Sequence, residues 1–217
     1  MSEAAERKMR FLFALRSKGV TDARVLGAME EIDRGEFVRG IFAERAYEDM
    51  PLPIACGQTI SQPSIVGIMT QALDVQPRDK VLEVGTGSGF MAALLAHQAA
   101  SVLSLESDAG LAAQAQKNLY KAAVNNVKVR NADGSQGAAA EGPFDAILLS
   151  GSVAEVPQVL LDQLAVGGRL AAIVGDEPMM RATVITRTGP SSFVTAQPWD
   201  ANAPRLIGFA EPSAFRF

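Results

Sequence analysis

The stretch Val81-Leu-Glu-Val-Gly-Thr-Gly-Ser-Gly-Phe90 decides the fold class of this chain. Its first residues form a short apolar run typical of a buried strand, and Gly85, Gly87 and Gly89 follow where that strand would turn into a helix. Glycine lets the backbone approach a ligand closely, and the first turn of a helix has free N–H groups. The segment therefore predicts a strand, a glycine-rich turn and a helix that together form a binding site.

Short apolar runs, most of them followed by helical segments, continue on the C-terminal side of this stretch. The predicted strands are Lys80–Val84, Ser101–Leu105, Val127–Arg130, Ala146–Ser150 and Arg169–Val174. The predicted helices are Gly89–Ala99, Ala109–Ala123 and Val156–Leu164. This alternation predicts an α/β fold with a doubly wound, mostly parallel sheet. Three further β-rich runs predict an antiparallel C-terminal edge: Ala182–Thr188, Phe193–Ala196 and Leu206–Phe209.

The N-terminal part of the chain is predicted to be helical. Apolar residues recur at helical spacing over Glu3–Ser17 and Asp22–Ile32, and a third helix is predicted from Pro63 to about Leu73. A length of 217 residues favours a single domain. Within it we distinguish an N-terminal helical segment (1–75), a ligand-binding core (76–175) and C-terminal strands (176–217).

The composition argues against several classes of protein. A net charge of −4 disfavours general binding of nucleic acid. Cys56 is the single cysteine and His97 the single histidine, so neither an intrachain disulfide nor a cysteine-based zinc site is predicted. We interpret Cys56 as a small buried apolar residue. Without an apolar run long enough for a signal peptide or a membrane span, the sequence predicts a cytoplasmic protein with no membrane partner and no metal.

Acidic residues at the ends of consecutive predicted strands indicate which ligand the core binds. Glu83 precedes the glycines, where a carboxylate suits the ammonium and sulfonium of S-adenosylmethionine and would repel a pyrophosphate. Glu106 follows the glycines by about 20 residues, the placement that holds ribose hydroxyls. Asp133 ends the next strand and could accept a hydrogen bond from an adenine amine. A lone acid of this kind is usually solvated or caps a helix, but three at neighbouring strand ends favour a shared ligand.

S-adenosylmethionine is therefore the predicted cofactor. The predicted cofactor-binding residues are Glu83, Gly85, Thr86, Gly87, Ser88, Gly89, Glu106, Asp133 and Gly134. A dinucleotide motif would need a third glycine where Phe90 stands, so an NAD(P)-dependent oxidoreductase is disfavoured.

From about Val25 to Val174 the sequence resembles the protein-L-isoaspartate (D-aspartate) O-methyltransferase family. The most specific part is Pro51-Leu-Pro-Ile54 followed by Gly57-Gln-Thr-Ile-Ser-Gln-Pro63. The resemblance implies a class I S-adenosylmethionine-dependent methyltransferase fold. It also implies transfer of a methyl group to the carboxylate of L-isoaspartyl residues in damaged proteins, which is a repair reaction with isoaspartyl proteins or peptides as partners.

The resemblance gives Gln58, Thr59 and Ser61 the role of binding the acceptor substrate, with Ser61 as the candidate catalytic residue. A carboxylate is already ionised at neutral pH, so the reaction needs alignment and desolvation instead of a base. On local sequence Ser61 fits equally well as the N-cap of the helix that Pro63 begins, and both roles can coexist.

The sequence also departs from the family pattern, and alternatives stay open. Ala55-Cys56 replaces Gly-His, Phe90-Met91 replaces Tyr-Gln, and Ser150-Gly151-Ser152 replaces a loop of small residues. After Gly175 the family's substrate segments are replaced by Asp176–Met180 and Pro204–Gly208. A diverged methyltransferase acting on another carboxylate or a small molecule, or a non-catalytic S-adenosylmethionine-binding protein, would fit these changes. The sequence leaves the oligomeric state open.

Overall fold

A computed structural model describes residues 3–211 of the chain. The helices are α1 (Glu3–Ser17), α2 (Ala23–Glu31), α3 (Pro63–Leu73), α4 (Phe90–Gln98), α5 (Ala109–Lys121) and α6 (Gln158–Leu161). The strands are β1 (Leu52–Pro53), β2 (Thr59–Ile60), β3 (Lys80–Val84), β4 (Ser101–Glu106), β5 (Val127–Asn131), β6 (Phe144–Val153), β7 (Leu164–Val174), β8 (Arg181–Arg187) and β9 (Phe193–Asp200). Short 3-10 turns occupy Arg34–Phe37, Gly40–Arg45, Gly134–Gln136 and Ala139–Glu141.

The main sheet has seven strands in the order β5-β4-β3-β6-β7-β8-β9. Strands β3 to β7 run parallel, whereas β8 pairs antiparallel with β7 and β9 antiparallel with β8. The predicted fold class and its antiparallel C-terminal edge are therefore confirmed. The strand order reverses between β3 and β6, and ligands of such sheets bind in the crevice outside the carboxyl ends of the strands at this switch point.

The strand at the start of the stretch Val81–Phe90 lies in the core of the sheet. Residues Val81 to Val84 of β3 are all buried, as expected for a parallel strand covered on both faces. Val81 packs with Met69 and Leu73 of α3 on one face of the sheet, and Leu82 packs with the apolar residues of the other face. Consequently the glycine turn that follows β3 is held on a rigid support.

Two predictions about the C-terminal half are wrong. The helix predicted at Val156–Leu164 is the single turn α6, because β7 already begins at Leu164, where it pairs with Phe144. The run Leu206–Phe209 is not a strand. It lies in a turn-rich segment, residues 201–211, which we call the C-terminal strap and which pairs with Ser152 of β6 through the single bridge residue Arg205. The strap bends because Gly208 has a positive φ of 89° and Pro204 has no N–H to donate.

The N-terminal helices pack beside α4, and the segment between α2 and α3 is held by a buried arginine. Arg34 is 1% exposed, and its guanidinium donates to the carbonyls of Ala46 (2.7 Å), Met50 (3.2 Å) and Ser61 (3.1 Å). These bonds fix both ends of the segment that carries the short β1–β2 pair. Within residues 3–211 we find no helix that is both long and apolar enough to cross a membrane.

A matched pair of substitutions tests the packing of these helices. A Cβ added at Gly27 of α2 meets nothing within 4 Å, so we expect Gly27→Ala to stabilise the protein by about 0.5–1 kcal/mol through helix propensity. At Gly67 of α3 the Cβ would lie 2.8 Å from Cγ2 of Val20 and 3.2 Å from Sδ of Met29. Such crowding costs about 1–3 kcal/mol, so Gly67→Ala should destabilise. Urea unfolding measures both, and a Gly67→Ala protein as stable as Gly27→Ala would contradict this packing.

Candidate active site

The glycine turn after β3 is a left-handed backbone segment anchored to β4. Gly85, Gly87 and Gly89 have φ values of 93°, 54° and 89°, a region that side chains disfavour. The N–H of Gly85 donates to the carbonyl of Leu105 (2.9 Å), and Gly89 is the N-cap of α4. The turn therefore adopts the close-approach conformation that its glycines predict.

An outer cavity of about 210 Å³ opens on one side of this turn. Glu106, at the end of β4, lines it and is 7% exposed. One carboxylate oxygen accepts from the N–H of Gly87 (2.8 Å) and the other from the N–H of Asp108 (3.0 Å). These bonds hold the carboxylate against the cavity with lone pairs left over for hydroxyl donors. This is the geometry that the predicted ribose contact requires.

An inner cavity of about 60 Å³ lies on the other side of the turn, between α3, α4 and the end of β6. Its lining includes five residues that carry hydroxyl groups: Thr59, Ser61, Thr86, Ser88 and Ser150. The inner and outer cavities share four lining residues: Thr59, Gly85, Gly87 and Ser150. The two cavities therefore meet at the glycine turn.

Glu83 is placed below the cavities and lines neither of them. It is fully buried, and its two carboxylate oxygens accept from Ser104 Oγ (2.6 Å) and Ser150 Oγ (2.8 Å). Burial raises the pKa of Glu83 to about 7, the two serine hydrogen bonds lower it, and the neighbouring charge of Glu106 raises it. Direct contact between Glu83 and a bound ammonium stays a prediction.

The predicted acceptor residues lie where the cavities meet. Thr59 on β2 lines both cavities, Ser61 lines the inner cavity and Gln58 lines the outer one. The alternative role of Ser61 as a helix N-cap is wrong, because Gln62 is the N-cap of α3 and makes no side-chain capping bond. Asp49 satisfies the first turn instead, accepting from the N–H of Ser64 at 2.8 Å.

The remaining predicted residues divide between the cavity and its surroundings. Gly134 lines the outer cavity, and a Cβ there would lie 2.2 Å from Cγ1 of Val84, so only glycine fits. Asp133 is exposed and caps its own 3-10 turn by accepting from the N–H of Ser135 (2.9 Å), and its adenine contact stays a prediction. Gly89 packs against Leu119 and Ala115 of α5 instead of lining a cavity.

The interpretation of Cys56 as a buried residue is wrong. The side chain is exposed, lines the outer cavity and has a positive φ of 57°. A hydrogen bond with Asp108 and the nearby negative charges of Asp108 and Glu106 raise the pKa of its thiol. Its exposure could not be predicted from the sequence, because Ala55-Cys56 looks apolar, whereas the tight turn between β1 and β2 brings it to the surface.

The structure adds residues to the site that sequence reasoning missed. Asp108 and Leu111, which flank the start of α5, line the outer cavity. Arg205, Leu206 and Ile207 of the C-terminal strap line it as well, and Leu206 lies against Gly85. Arg205 holds the strap in place by donating to the carbonyl of Gly175 at 2.9 Å and by pairing with Asp176. The strap was missed because its apolar residues read as a strand.

The architecture is that of the class I methyltransferases, and comparisons with known proteins define the family. A solved chain described as protein-L-isoaspartate O-methyltransferase matches with a TM-score of 0.82 and 25% identity, covering 93% of this chain and 66% of that one. A chain from Plasmodium falciparum, solved in complex with S-adenosyl-L-homocysteine, has a TM-score of 0.76 at 24% identity and covers 90% of this chain and 95% of its own.

Sequence comparison gives the same result at higher identity. The family model described as protein-L-isoaspartate(D-aspartate) O-methyltransferase matches residues 6–198. A relative named protein-L-isoaspartate O-methyltransferase from Roseobacter denitrificans is 57% identical over 185 residues, 85% of this chain and 86% of the relative. Another of that name from Cereibacter sphaeroides is 58% identical over 173 residues, 80% of this chain and 79% of the relative. This chain belongs to the protein-L-isoaspartate (D-aspartate) O-methyltransferase family.

The burial of Glu83 predicts a pH-dependent stability difference. Because its pKa is raised from an ordinary value of 4.5 to about 7, the folded protein retains a proton that the unfolded chain has released between these values. The resulting stabilisation is fully present below about pH 4.5 and is lost as the pH rises through about 7. Glutamine stays neutral, so the free energy of unfolding of Glu83→Gln relative to wild type should grow by about 1–3 kcal/mol between about pH 5 and pH 8.

Urea unfolding at several pH values measures this difference. Glu30→Gln, at an exposed position of α2, controls for the change of residue type. A difference between Glu83→Gln and wild type that stays constant with pH would contradict the raised pKa.

Proposed function

We propose that this protein transfers a methyl group from S-adenosylmethionine to the carboxylate of L-isoaspartyl residues in damaged proteins, a protein-repair reaction. Family membership gives this reaction its strongest support, since the relatives from Roseobacter denitrificans and Cereibacter sphaeroides carry its name. Isoaspartyl-containing proteins or peptides are then the partners, and a cytoplasmic location is part of the same proposal.

The observation that carries the proposal is the meeting of the two cavities at Thr59, Gly85, Gly87 and Ser150. In the outer cavity the fixed carboxylate of Glu106 can bind a ribose. Thr59 and Ser61, whose hydroxyls would bind the substrate carboxylate, line the inner cavity. A donor and an acceptor that approach from these two sides would be aligned across the glycine turn, and alignment is the main requirement of this chemistry.

The chain's residues bind and orient, and none of them needs to move a proton. When bound, S-adenosylmethionine supplies the methyl group, and its sulfur takes back the electron pair of the broken bond as the carboxylate oxygen forms the new one. The carboxylate is ionised at neutral pH, so Thr59 and Ser61 only have to position it by donating hydrogen bonds. His97 is bound to Glu31 at 2.9 Å and lines neither cavity, consistent with a reaction that uses no base.

Two residues from the segments that depart from the family pattern, Cys56 and Arg205, line the outer cavity beside Glu106. A different acceptor or a non-catalytic role would be expressed there. We propose that residues 1–75 and 176–217 shape the acceptor site around the cofactor-binding core of 76–175, within one domain. Glu106 and Gly134, on the cofactor side, stand where the sequence pattern of an S-adenosylmethionine site places them.

Methyl transfer to a matched peptide pair tests the proposed reaction. With radiolabelled S-adenosylmethionine, we expect label on a peptide that contains L-isoaspartate and none on its aspartyl twin. Thr59→Val keeps the side-chain shape and removes one hydrogen bond to the carboxylate, so kcat/KM for the isoaspartyl peptide should fall about tenfold or more. Thr195→Val, at an exposed position of β9, is the control.

Two results would contradict the proposal. Equal labelling of both peptides would point to a different carboxylate acceptor. Cofactor binding by calorimetry without transfer to either peptide would point to a diverged substrate or a non-catalytic role.

Removal of the Glu106 charge tests binding of the cofactor separately from methyl transfer. Glu106→Gln should weaken binding of S-adenosylmethionine by about 1.5–3 kcal/mol, because the amide offers one fewer acceptor to the ribose hydroxyls. Isothermal calorimetry measures the change, with the exposed Glu44→Gln as control. Unchanged affinity in Glu106→Gln would exclude the ribose role.

A further inference from the structure

A chain of hydrogen-bonded hydroxyl groups leads from buried Glu83 to the wall of the inner cavity. One carboxylate oxygen of Glu83 accepts from Ser104, which is 0% exposed and lies 2.5 Å from the hydroxyl of Thr86. The other oxygen accepts from Ser150. Thr86 and Ser150 both line the inner cavity, whereas Glu83 and Ser104 line neither cavity. The buried pair therefore reaches a ligand only through these two hydroxyls.

We infer that Glu83 and Ser104 are positioning residues that force the hydroxyls of Thr86 and Ser150 to face the inner cavity as pure hydrogen-bond acceptors, selecting a cationic group there. This inference rests on the proposed function, because it takes the cationic amino acid end of S-adenosylmethionine as the group selected. It differs from direct pairing of Glu83 with that end, since here Glu83, which is fully buried and is not among the lining residues, acts through the hydroxyls that it accepts from.

The direction of the bonds follows from counting protons. An ionised carboxylate only accepts, so Ser104 and Ser150 must each donate their single hydroxyl proton to Glu83. Ser104 then has no proton left for Thr86, and Thr86 must be the donor in the bond between them. Both Thr86 and Ser150 have thereby used their only protons on the protein side. Toward the cavity they can offer only oxygen lone pairs.

The wall formed by Thr86 and Ser150 suits a positive group and disfavours an anion, whereas Thr59 and Ser61, which bind the acceptor carboxylate in the proposed function, take no part in this chain of hydroxyls. The ammonium is a pure donor and the sulfonium carries positive charge, so both complement oxygen lone pairs. The direction can reverse if Glu83 carries a proton or is replaced by glutamine, because it then donates to one of the serines. At least one hydroxyl proton could in that case point into the cavity and repel the cation.

The arrangement links cofactor affinity to pH. A cation in the inner cavity favours the ionised form of Glu83, so its pKa of about 7 in the free protein should fall on binding. Affinity is then highest above this pKa and decreases as the pH falls through it. Glu106, whose charge acts on Glu83, also faces the ligand and has to be controlled for. Adenosine provides that control, since it contains the ribose and the base but no cationic end.

Calorimetric binding of S-adenosylmethionine and adenosine at several pH values tests the inference. For wild type, we expect affinity for S-adenosylmethionine to rise about fivefold between about pH 5.5 and pH 7.5, which corresponds to a pKa decrease of about one unit. Glu83→Gln should bind about tenfold more weakly at pH 7.5 and lose the pH dependence. Ser104→Ala frees the Thr86 proton and should weaken binding with a reduced pH dependence.

Adenosine separates positioning from a loss of structure. Its affinity should stay within about twofold of wild type in both variants, whereas a damaged fold would weaken both ligands. Thr183→Ala removes another buried hydroxyl of the same sheet, outside the site, and should change neither affinity. Thr86→Val should also weaken binding of S-adenosylmethionine and leave adenosine unaffected, because it removes the hydroxyl at the cavity end of the series Glu83–Ser104–Thr86 and keeps the side-chain shape.

Two results would overturn the inference, and they have different consequences for the proposed function. If S-adenosylmethionine binds all variants with the wild-type pH profile, or if the variants lose adenosine equally, the positioning role is overturned and the proposed function stands. If wild type binds adenosine but not S-adenosylmethionine, both the proposed function and this inference fail.

Discussion

The whole site depends on β3 being hydrogen-bonded on both sides within the sheet, to β4 and to β6. Val81 to Val84 pair in register with residues of both neighbours, so the end of β3 cannot shift without breaking two ladders. β4 lies on one side of β3 and β6 on the other, so the strand order reverses here. The crevice opens at the carboxyl ends of these strands. The glycine turn, Glu106 and Ser150 are all carried by these three strand ends.

This constraint determines which parts of the molecule can be deduced from local sequence. The strands and helices of the core were predictable because a strand buried on both faces is a continuous apolar run and needs no information from elsewhere. Glu106 was predictable for a similar reason, since the carboxyl ends of adjacent parallel strands meet at the same edge. Its distance along the chain from the glycines is set by one helix and one strand.

The misjudged residues lie where the answer depends on a distant partner. Leu206 has the pattern of a strand residue, but it contacts Gly85 and Gly151, whose missing side chains leave the space for it. Ser61 looks like a helix cap, but Asp49 takes that role. Cys56 looks apolar, yet a two-strand turn exposes it. For Leu206 and Ser61 a contact with a separate segment overrides the local pattern, and for Cys56 a tight turn does so, and neither feature has a periodic signature.

The position of the segment that carries Thr59 and Ser61 likewise depends on a contact with a separate part of the chain. Ser61 is held by the buried Arg34, whose guanidinium donates to three backbone carbonyls while its Nε has no hydrogen-bond partner within residues 3–211. An arginine buried in this way is costly unless its bonds are satisfied, so the segment it holds has little freedom to move. The strap on the opposite wall is held by Arg205 through Gly175 and Asp176, close to the surface.

The two walls differ in what holds them. Arg34 bonds to backbone carbonyls, so the cost falls on changes that would move the backbone between Ala46 and Ser61 away from the guanidinium. A substitution in the strap alters contacts close to the surface that contribute less to stability. The buried carboxylate of Glu83 obeys the same logic from the cofactor side. Its burial reduces stability at neutral pH, as the raised pKa implies, and a carboxyl group with a strongly perturbed pKa beside a ligand crevice is typical of a functional site. The backbone held by Arg34 and the buried Glu83 are therefore the constrained parts of the site, and the strap is the part with the weaker constraints.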